Sequence, residues 1–190
     1  MCKPLHVLGL SGSLRRHSIH NALMLNAQRM AAPEMRVVIH DLSDLPLFNQ
    51  DLETPAFPDS VARLHQAVAQ ADAVLLCVPE YNHGPSGVIK NALDWMSRPA
   101  GRSTAMGKPV AMLGASPGIG STIRAQMSLR PTLNVMGMLP LTVADCVIPH
   151  SGTAFDPQGR IVDPSAEAAL GRTLKAFQAW IVRLTAMAPA

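Results

Sequence analysis

Two rhythms of apolar residues alternate along the chain. Leu5–Leu10, Met35–Ile39, Ala73–Val78, Pro109–Gly114 and Leu141–Val147 are short, mostly apolar runs, the pattern of strands buried on both faces of a parallel sheet. Between them the spacing lengthens to three and four. It predicts helices over Ser18–Ala31 (Leu23, Met24, Ala27 and Met30 on one face), Val61–Gln70, Gly87–Ser97, Thr122–Met136 and Ser165–Thr185. Asp59 or Ser60 is the expected cap of the second helix and Ser165 that of the last, while Pro131 should kink or break the fourth. A long connection runs through Pro46, Pro55 and Pro58. Strands separated by helical crossovers give an α/β domain, a parallel sheet with helices on both faces. Neither repeat nor linker interrupts residues 1–190, so one domain is expected.

Composition changes that picture little. Charged residues make up 15% of the chain, aromatic residues 4% and apolar residues 48%, which is a globular balance without a disordered tract. A formal charge of +3 suits a small anionic ligand, but Lys and Arg are scattered, which argues against nucleic acid as a partner. Cys2, Cys77 and Cys146 lie far apart, with no metal spacing, and the last two sit in strand-like runs as small hydrophobes. Met1–Pro4 leads straight into the first strand without a signal segment, and no run reaches transmembrane length. A cytoplasmic protein with no membrane contact is expected.

The candidate chemistry lies in three loops that leave the carboxyl ends of strands, where an open α/β sheet places its ligands. In the first, Ser11-Gly12-Ser13-Leu14-Arg15 leads toward a helix starting near Ser18. Backbone N–H groups and the helix dipole converge there on an anion; Ser11, Ser13 and Ser18 add hydroxyl donors and Arg15 a charged fork. The turn lacks the P-loop lysine and the G-x-G-x-x-G spacing, so a mononucleotide such as FMN fits better than a triphosphate or dinucleotide. An ordinary Ser-Gly turn capping a helix reads about as well. The second loop, Pro79-Glu80-Tyr81-Asn82-His83-Gly84-Pro85-Ser86, holds the chain's one Tyr and suits a flat ring that needs backbone donors and an aromatic wall. Surface filler is the plainer reading of Tyr81, and a local cap or pair the plainer reading of Glu80. The third loop, Gly114-Ala115-Ser116-Pro117-Gly118-Ile119-Gly120, reads as a tight turn by itself.

Taken together, Gly12-Ser13-Leu14-Arg15 with Ser18, Pro79-Glu80-Tyr81-Asn82 and Gly87-Val88-Ile89-Lys90-Asn91-Ala92-Leu93-Asp94-Trp95 resemble the NADPH-dependent FMN reductase family. Leu45–Leu52 and the stretch from Gly118 to Arg130 extend the likeness over most of the chain. The resemblance implies a flavodoxin-like three-layer sandwich, with a five-stranded parallel sheet in the order 2-1-3-4-5. It also implies bound FMN, NAD(P)H as electron donor, and a quinone, azo dye, chromate or flavin as small-molecule acceptor. Cofactor contacts then fall on Ser11, Ser13, Leu14, Arg15, Ser18, His20 and Asn21 at the phosphate. Pro79, Glu80, Tyr81 and Asn82 follow along the ring, with Ala115 and Ser116 on its other side. The chemistry belongs to the flavin, and no side chain is expected as an essential acid or base. Two departures stand out: His20 occupies the place of a family Asn, with Asn21 after it, and His83–Gly87 replaces a family x-Ser-x-Pro-Gly. A flavodoxin-like electron carrier without turnover is the alternative, though such carriers are commonly acidic and this chain is basic. Apolar residues around more than one side of Gly87–Ser97 and of the segment from Thr122, with the family's habit of pairing, imply a homodimer or homotetramer.

Overall fold

A run such as Ala73–Cys77, apolar at every position, is stable only where both sheet faces are covered. The computed structural model, which describes residues 3–142 and 146–187, puts it there. In chain order the elements are β1 (Leu5–Ser11), α1 (Ile19–Ala31), β2 (Met35–His40), α2 (Asp59–Gln70), β3 (Ala73–Cys77), β4 (Glu80–Tyr81), β5 (Gly84–Pro85) and α3 (Gly87–Met96). They continue as β6 (Pro109–Ala115), α4 (Ile123–Val135), β7 (Leu139–Pro140), β8 (Cys146–Ile148), α5 (Ser151–Ala154) and α6 (Pro164–Met187). The main sheet is parallel and runs β2-β1-β3-β6, with β7 and β8 both paired to the free edge of β6. Two short pieces thus share the fifth position. The predicted strand Leu141–Val147 overlaps only the start of β8, and its central residues 143–145 lie outside the described residues.

Alternate residues of the strands feed two cores. On one face Val7, Leu75 and Leu113 pack with Leu23, Met24 and Ala27 of α1 and Leu170, Leu174 and Phe177 of α6. On the other, Leu8, Leu10, Leu76 and Met112 meet Val61 and Leu64 of α2, Ile89, Leu93 and Trp95 of α3, and Leu129 and Leu133 of α4. Ile89, Ala92, Leu93, Trp95 and Met96 are all buried within the one chain, so the apolar excess of α3 is absorbed by the monomer's own core. Across β3, β6 and β8, Cys77, Leu113 and Cys146 stand side by side in register.

Three end signals differ from the sequence reading. Helix α2 begins after Pro58, with Asp59 and Ser60 inside the helix and no side-chain cap. Helix α6 is capped by Asp163, whose Oδ1 accepts from the Ser165 N–H (2.7 Å) and Oγ–H (2.7 Å); a carboxylate out-competes the hydroxyl at a positive helix end. Helix α4 continues through Pro131. That proline is exposed, as is Met127 one turn earlier, so water can reach the carbonyl that loses its N–H partner.

The close fit of α4 on β6 depends on a missing side chain. A Cβ at Gly114 would lie 1.7 Å from Thr122 Oγ1 and 2.9 Å from Gln126 Nε2, and both partners are buried. Gly114→Ala should therefore destabilise the fold by about 1–3 kcal/mol, the cost of over-packing a filled core. Urea unfolding of the variant measures it, and an unchanged midpoint would show that α4 yields at this contact.

Candidate functional site

Strand β1 ends by pairing with β3, and the Gly12 N–H extends that pairing to the Cys77 carbonyl (2.9 Å). The chain then turns sharply into α1. Ser18 is the N-cap, its Oγ accepting from the His20 N–H at 3.1 Å, and its own N–H reaches the Arg15 carbonyl at 3.2 Å. Asn21 braces the turn from the helix, accepting from Ser11 Oγ (2.5 Å) and donating to the Arg15 carbonyl (3.2 Å). Ser13 Oγ accepts from the Arg15 N–H at 3.4 Å. The oxygens of Ser13 and Ser18 thus accept, which leaves their O–H groups to donate. Among the described residues no carboxylate pairs with the Arg15 guanidinium, which is exposed beside this turn.

The second loop folds back as a hairpin, β4 paired with β5. Asn82 (φ 50°) and His83 (φ 64°) form its tip with two consecutive left-handed residues, the backbone of a type I′ turn. Asn tolerates this conformation; His does so less readily. Tyr81 stands on the hairpin, 55% exposed. Glu80 is turned away toward α4: its Oε1 accepts from Arg124 Nε (2.8 Å) and its Oε2 from the Ala125 N–H (3.1 Å). The carboxylate therefore clips the hairpin to the N-terminus of α4, where its charge is favoured.

Hairpin and turn are bolted together at Gly12. Buried Ser86 donates its Oγ–H to the Gly12 carbonyl (2.7 Å) and accepts from the Ile89 N–H (3.3 Å), capping α3. A Cβ on Gly12 would lie 2.4 Å from Ile89 Cγ1 and 2.5 Å from Pro79 Cδ, so only glycine permits the approach.

A cavity of about 630 Å³ opens at this junction, lined by Gly12, Ser13, Leu14, Arg15, Tyr81, Ser86, Gly87 and Val88. Its far wall is Leu42, Leu45 and Leu47, from the proline-rich connection, with Asn91 beneath. Sequence reasoning did not assign this wall to the site; its one signal was the Leu45–Leu52 segment. The wall is firmly held. Asn91 accepts from the Phe48 N–H (2.8 Å) and donates to the Pro46 carbonyl (2.9 Å), which also accepts from Trp95 Nε1 (2.8 Å). The Phe48 ring meets Trp95 edge-on at 4.9 Å, and the Arg98 guanidinium lies over the Phe48 ring, 4.9 Å from its centroid.

Of the predicted contacts, Ser13, Leu14, Arg15 and Tyr81 line this cavity, whereas Ser11 and Asn21 line a smaller adjoining recess with Ser13 and Leu14. Pro79 is buried behind Gly12, Glu80 faces α4, and Asn82 is at the exposed hairpin tip. Ala115 is buried at the end of β6. Ser116 continues that strand toward the last one, its N–H donating to the Ile148 carbonyl (3.1 Å) and its carbonyl accepting from the Ser151 N–H (3.0 Å). Ser18 caps the helix within the buried head of α1, and His20 lies beneath the turn. Burial first, then the nearby Arg15 charge, lowers the His20 pKa to about 4, with the Val78 carbonyl partly offsetting both. The ring is neutral, and its buried Nε2 has no hydrogen-bond partner.

Comparison with known proteins agrees with this geometry. Residues 5–153 match the family model described as NADPH-dependent FMN reductase. The chain is 41% identical over 184 residues to an NAD(P)H-dependent FMN reductase of Pseudomonas aeruginosa, covering 97% of this chain and 99% of that one. It is 35% identical over 170 residues to a 2-hydroxy-1,4-benzoquinone reductase of a Burkholderia species, covering 90% and 92%. Among solved structures, FerB of Paracoccus denitrificans, a flavoenzyme NAD(P)H:(acceptor) oxidoreductase, superimposes with a TM-score of 0.87 at 35% identity, covering 94% of this chain and 98% of FerB. An archaeal flavodoxin shares the fold (TM-score 0.63, 12% identity, covering 94% and 99%). With the turn, the hairpin and the sheet order all in place, the chain belongs to the NADPH-dependent FMN reductase family.

Proposed function

We propose that the cavity at the Gly12–Ser86 junction holds FMN, and that the protein uses it to reduce a flat quinone-type acceptor at the expense of NAD(P)H. As a member of its family the protein is an FMN-dependent NAD(P)H oxidoreductase. One observation carries the placement: a guanidinium with no carboxylate partner and a capped helix end meet at one side of a cavity whose other side is apolar. The residues present fit the group. The O–H groups of Ser13 and Ser18, the Arg15 fork and the α1 dipole suit a phosphate. Tyr81 offers a face to a planar ring, and Leu42, Leu45 and Leu47 exclude water from it.

Bound FMN supplies the redox chemistry, accepting a hydride and passing electrons on. The chain's part is to orient and to shield, with no side chain as an essential acid or base. The quinone preference draws support from the Burkholderia relative and from a quinone reductase of Escherichia coli, 32% identical over 187 residues. A cytoplasmic setting suits a protein whose Cys77 and Cys146 are in no disulfide. Among the described residues no helix is long and apolar enough to cross a membrane.

The protein pairs with a second copy of itself. Support shifts from α3, now accounted for by the core, to exposed Ile123 and Met127 on α4, with Ile119 before it. Burying such a surface against a partner removes apolar area from water. Sedimentation at micromolar concentration should give twice the chain mass, and a single-chain species with full turnover would remove the pairing.

Arg15→Ala should weaken FMN binding by about 1.5–3 kcal/mol, or about 10- to 150-fold, the range for a hydrogen bond to a charged group. Titration of the apoprotein with FMN measures it, and unchanged affinity would move the phosphate elsewhere. Double-reciprocal plots with NADPH and a quinone should be parallel, because one cavity serves donor and acceptor in turn. Intersecting lines would mean that both bind together, and no turnover would favour an electron carrier.

A further inference from the structure

Among the buried residues of α1, His20 alone carries an ionisable side chain, and its buried Nε2 has no hydrogen-bond partner. It is the second residue of the helix, directly after Ser18 and Ile19, and only 6% exposed. Asn21, the other polar side chain at this position, is committed to Ser11 and to the Arg15 carbonyl. The head of α1 has no acidic side chain in its first turn. An imidazole with an unpartnered, buried Nε2, 6% exposed and beside the Val78 carbonyl, thus lies within the field of Arg15 at the helix end that the phosphate turn surrounds.

We propose that His20 completes the phosphate cradle as a proton-carrying contact, so that a phosphomonoester is taken up together with a proton. This rests on the FMN reading above. Burial and the Arg15 charge keep the ring neutral. A phosphate dianion at the first turn of α1 draws the Arg15 fork onto itself and replaces a repulsive neighbour by an attractive one. The imidazole then takes a proton from solvent and donates to a phosphate oxygen. No bond other than the N–H is made.

The other groups around α1 do not supply that charge. Strand β6 has no ionisable side chain, and β3 presents only Cys77, a thiol that burial keeps protonated. His6 of β1, Arg36 and His40 of β2, and Glu167, Arg172, Lys175 and Arg183 of α6 do not act on the His20 ring; Arg15 is the charge that does.

The sign follows from linkage. The ring's pKa is lowered to about 4 by the chain's own groups and is raised by a bound phosphate, so between those two values binding takes up a proton. The affinity gained from His20 is present at low pH and is lost as pH rises through the loaded-state value. The second ionisation of the phosphate, near pH 6, acts in the opposite sense, and comparison with a variant cancels it.

The test is FMN binding by apoprotein, read by flavin fluorescence between about pH 5 and 8, for the wild type and for His20→Asn. The wild-type advantage over His20→Asn should shrink as pH rises, by up to about tenfold per unit, while riboflavin, which lacks the phosphate, shows no such trend. In the wild type, the His20 imidazole C–H resonance should titrate at a higher pH with FMN or inorganic phosphate than without; this readout needs no variant to fold. Parallel pH profiles for wild type and His20→Asn, or a resonance whose titration the ligands leave unmoved, would overturn the proposal while the FMN site stands. Failure of the apoprotein to bind FMN at any pH would overturn both readings.

Discussion

The hydrogen bond from Ser86 Oγ to the Gly12 carbonyl, 2.7 Å long and fully buried, is the contact on which the site depends. It joins the loop after β1 to the loop after β3, at the place where the sheet order reverses. The same hydroxyl oxygen caps α3, so one side chain fixes both the approach of the loops and the start of the helix behind them. Because α3 starts there, Asn91 and Trp95 fall where they can hold Pro46 and Phe48, and the leucine wall follows. Removing the hydroxyl would strand a buried carbonyl, a penalty of about 1–3 kcal/mol on top of the lost alignment. The cavity walls are thus held by the chain's own hydrogen bonds, which lowers the cost of ordering them on binding.

Electrostatics divides the helix ends between structure and ligand. Glu80 occupies the N-terminus of α4 and spends its charge on Arg124 and the Ala125 N–H. At α1 the chain offers only Ser18 and leaves Arg15 beside it without a carboxylate. An anion entering this edge of the sheet thus meets one helix end already neutralised and another still open.

Much of this was legible in the sequence, for separable reasons. The runs at Leu5, Ala73 and Pro109 became strands because apolar residues without alternation can be buried only at the centre of a covered sheet, whereas Met35–His40 is the edge strand, with Arg36, Val38 and Ile39 exposed. Helix ends were read less well, because competition decides them: Asp163 displaces Ser165 as a cap through its charge, a contest that spacing does not reveal. The hairpin at Glu80–Pro85 was hidden because Asn82-His83 is not the Asn-Gly pair that announces a type I′ turn. Leu42, Leu45 and Leu47 escaped notice as a wall because nothing local orders them. Their position comes from Asn91, Trp95 and Arg98, with the Asn91 and Trp95 bonds to Pro46 spanning 45 and 49 residues of chain. The apolar surplus on α3 suggested an interface, but five of its residues are consumed by the monomer, since a helix wedged between the sheet and an anchored loop buries two sides at once.

Cys77, Leu113 and Cys146, side by side on adjacent strands, have a further meaning for a protein that handles electrons. The two sulfur-bearing residues are separated by a whole strand, about 10 Å between backbones and well beyond the reach of a disulfide. The Cys77 thiol is fully buried and its pKa pushed well above the ordinary value, chiefly by desolvation, so it stays protonated and a poor nucleophile toward peroxide. With FMN in the cavity as proposed, Cys77 and Cys146 form no dithiol pair that could draw electrons into the sheet, and the interior acts as insulation.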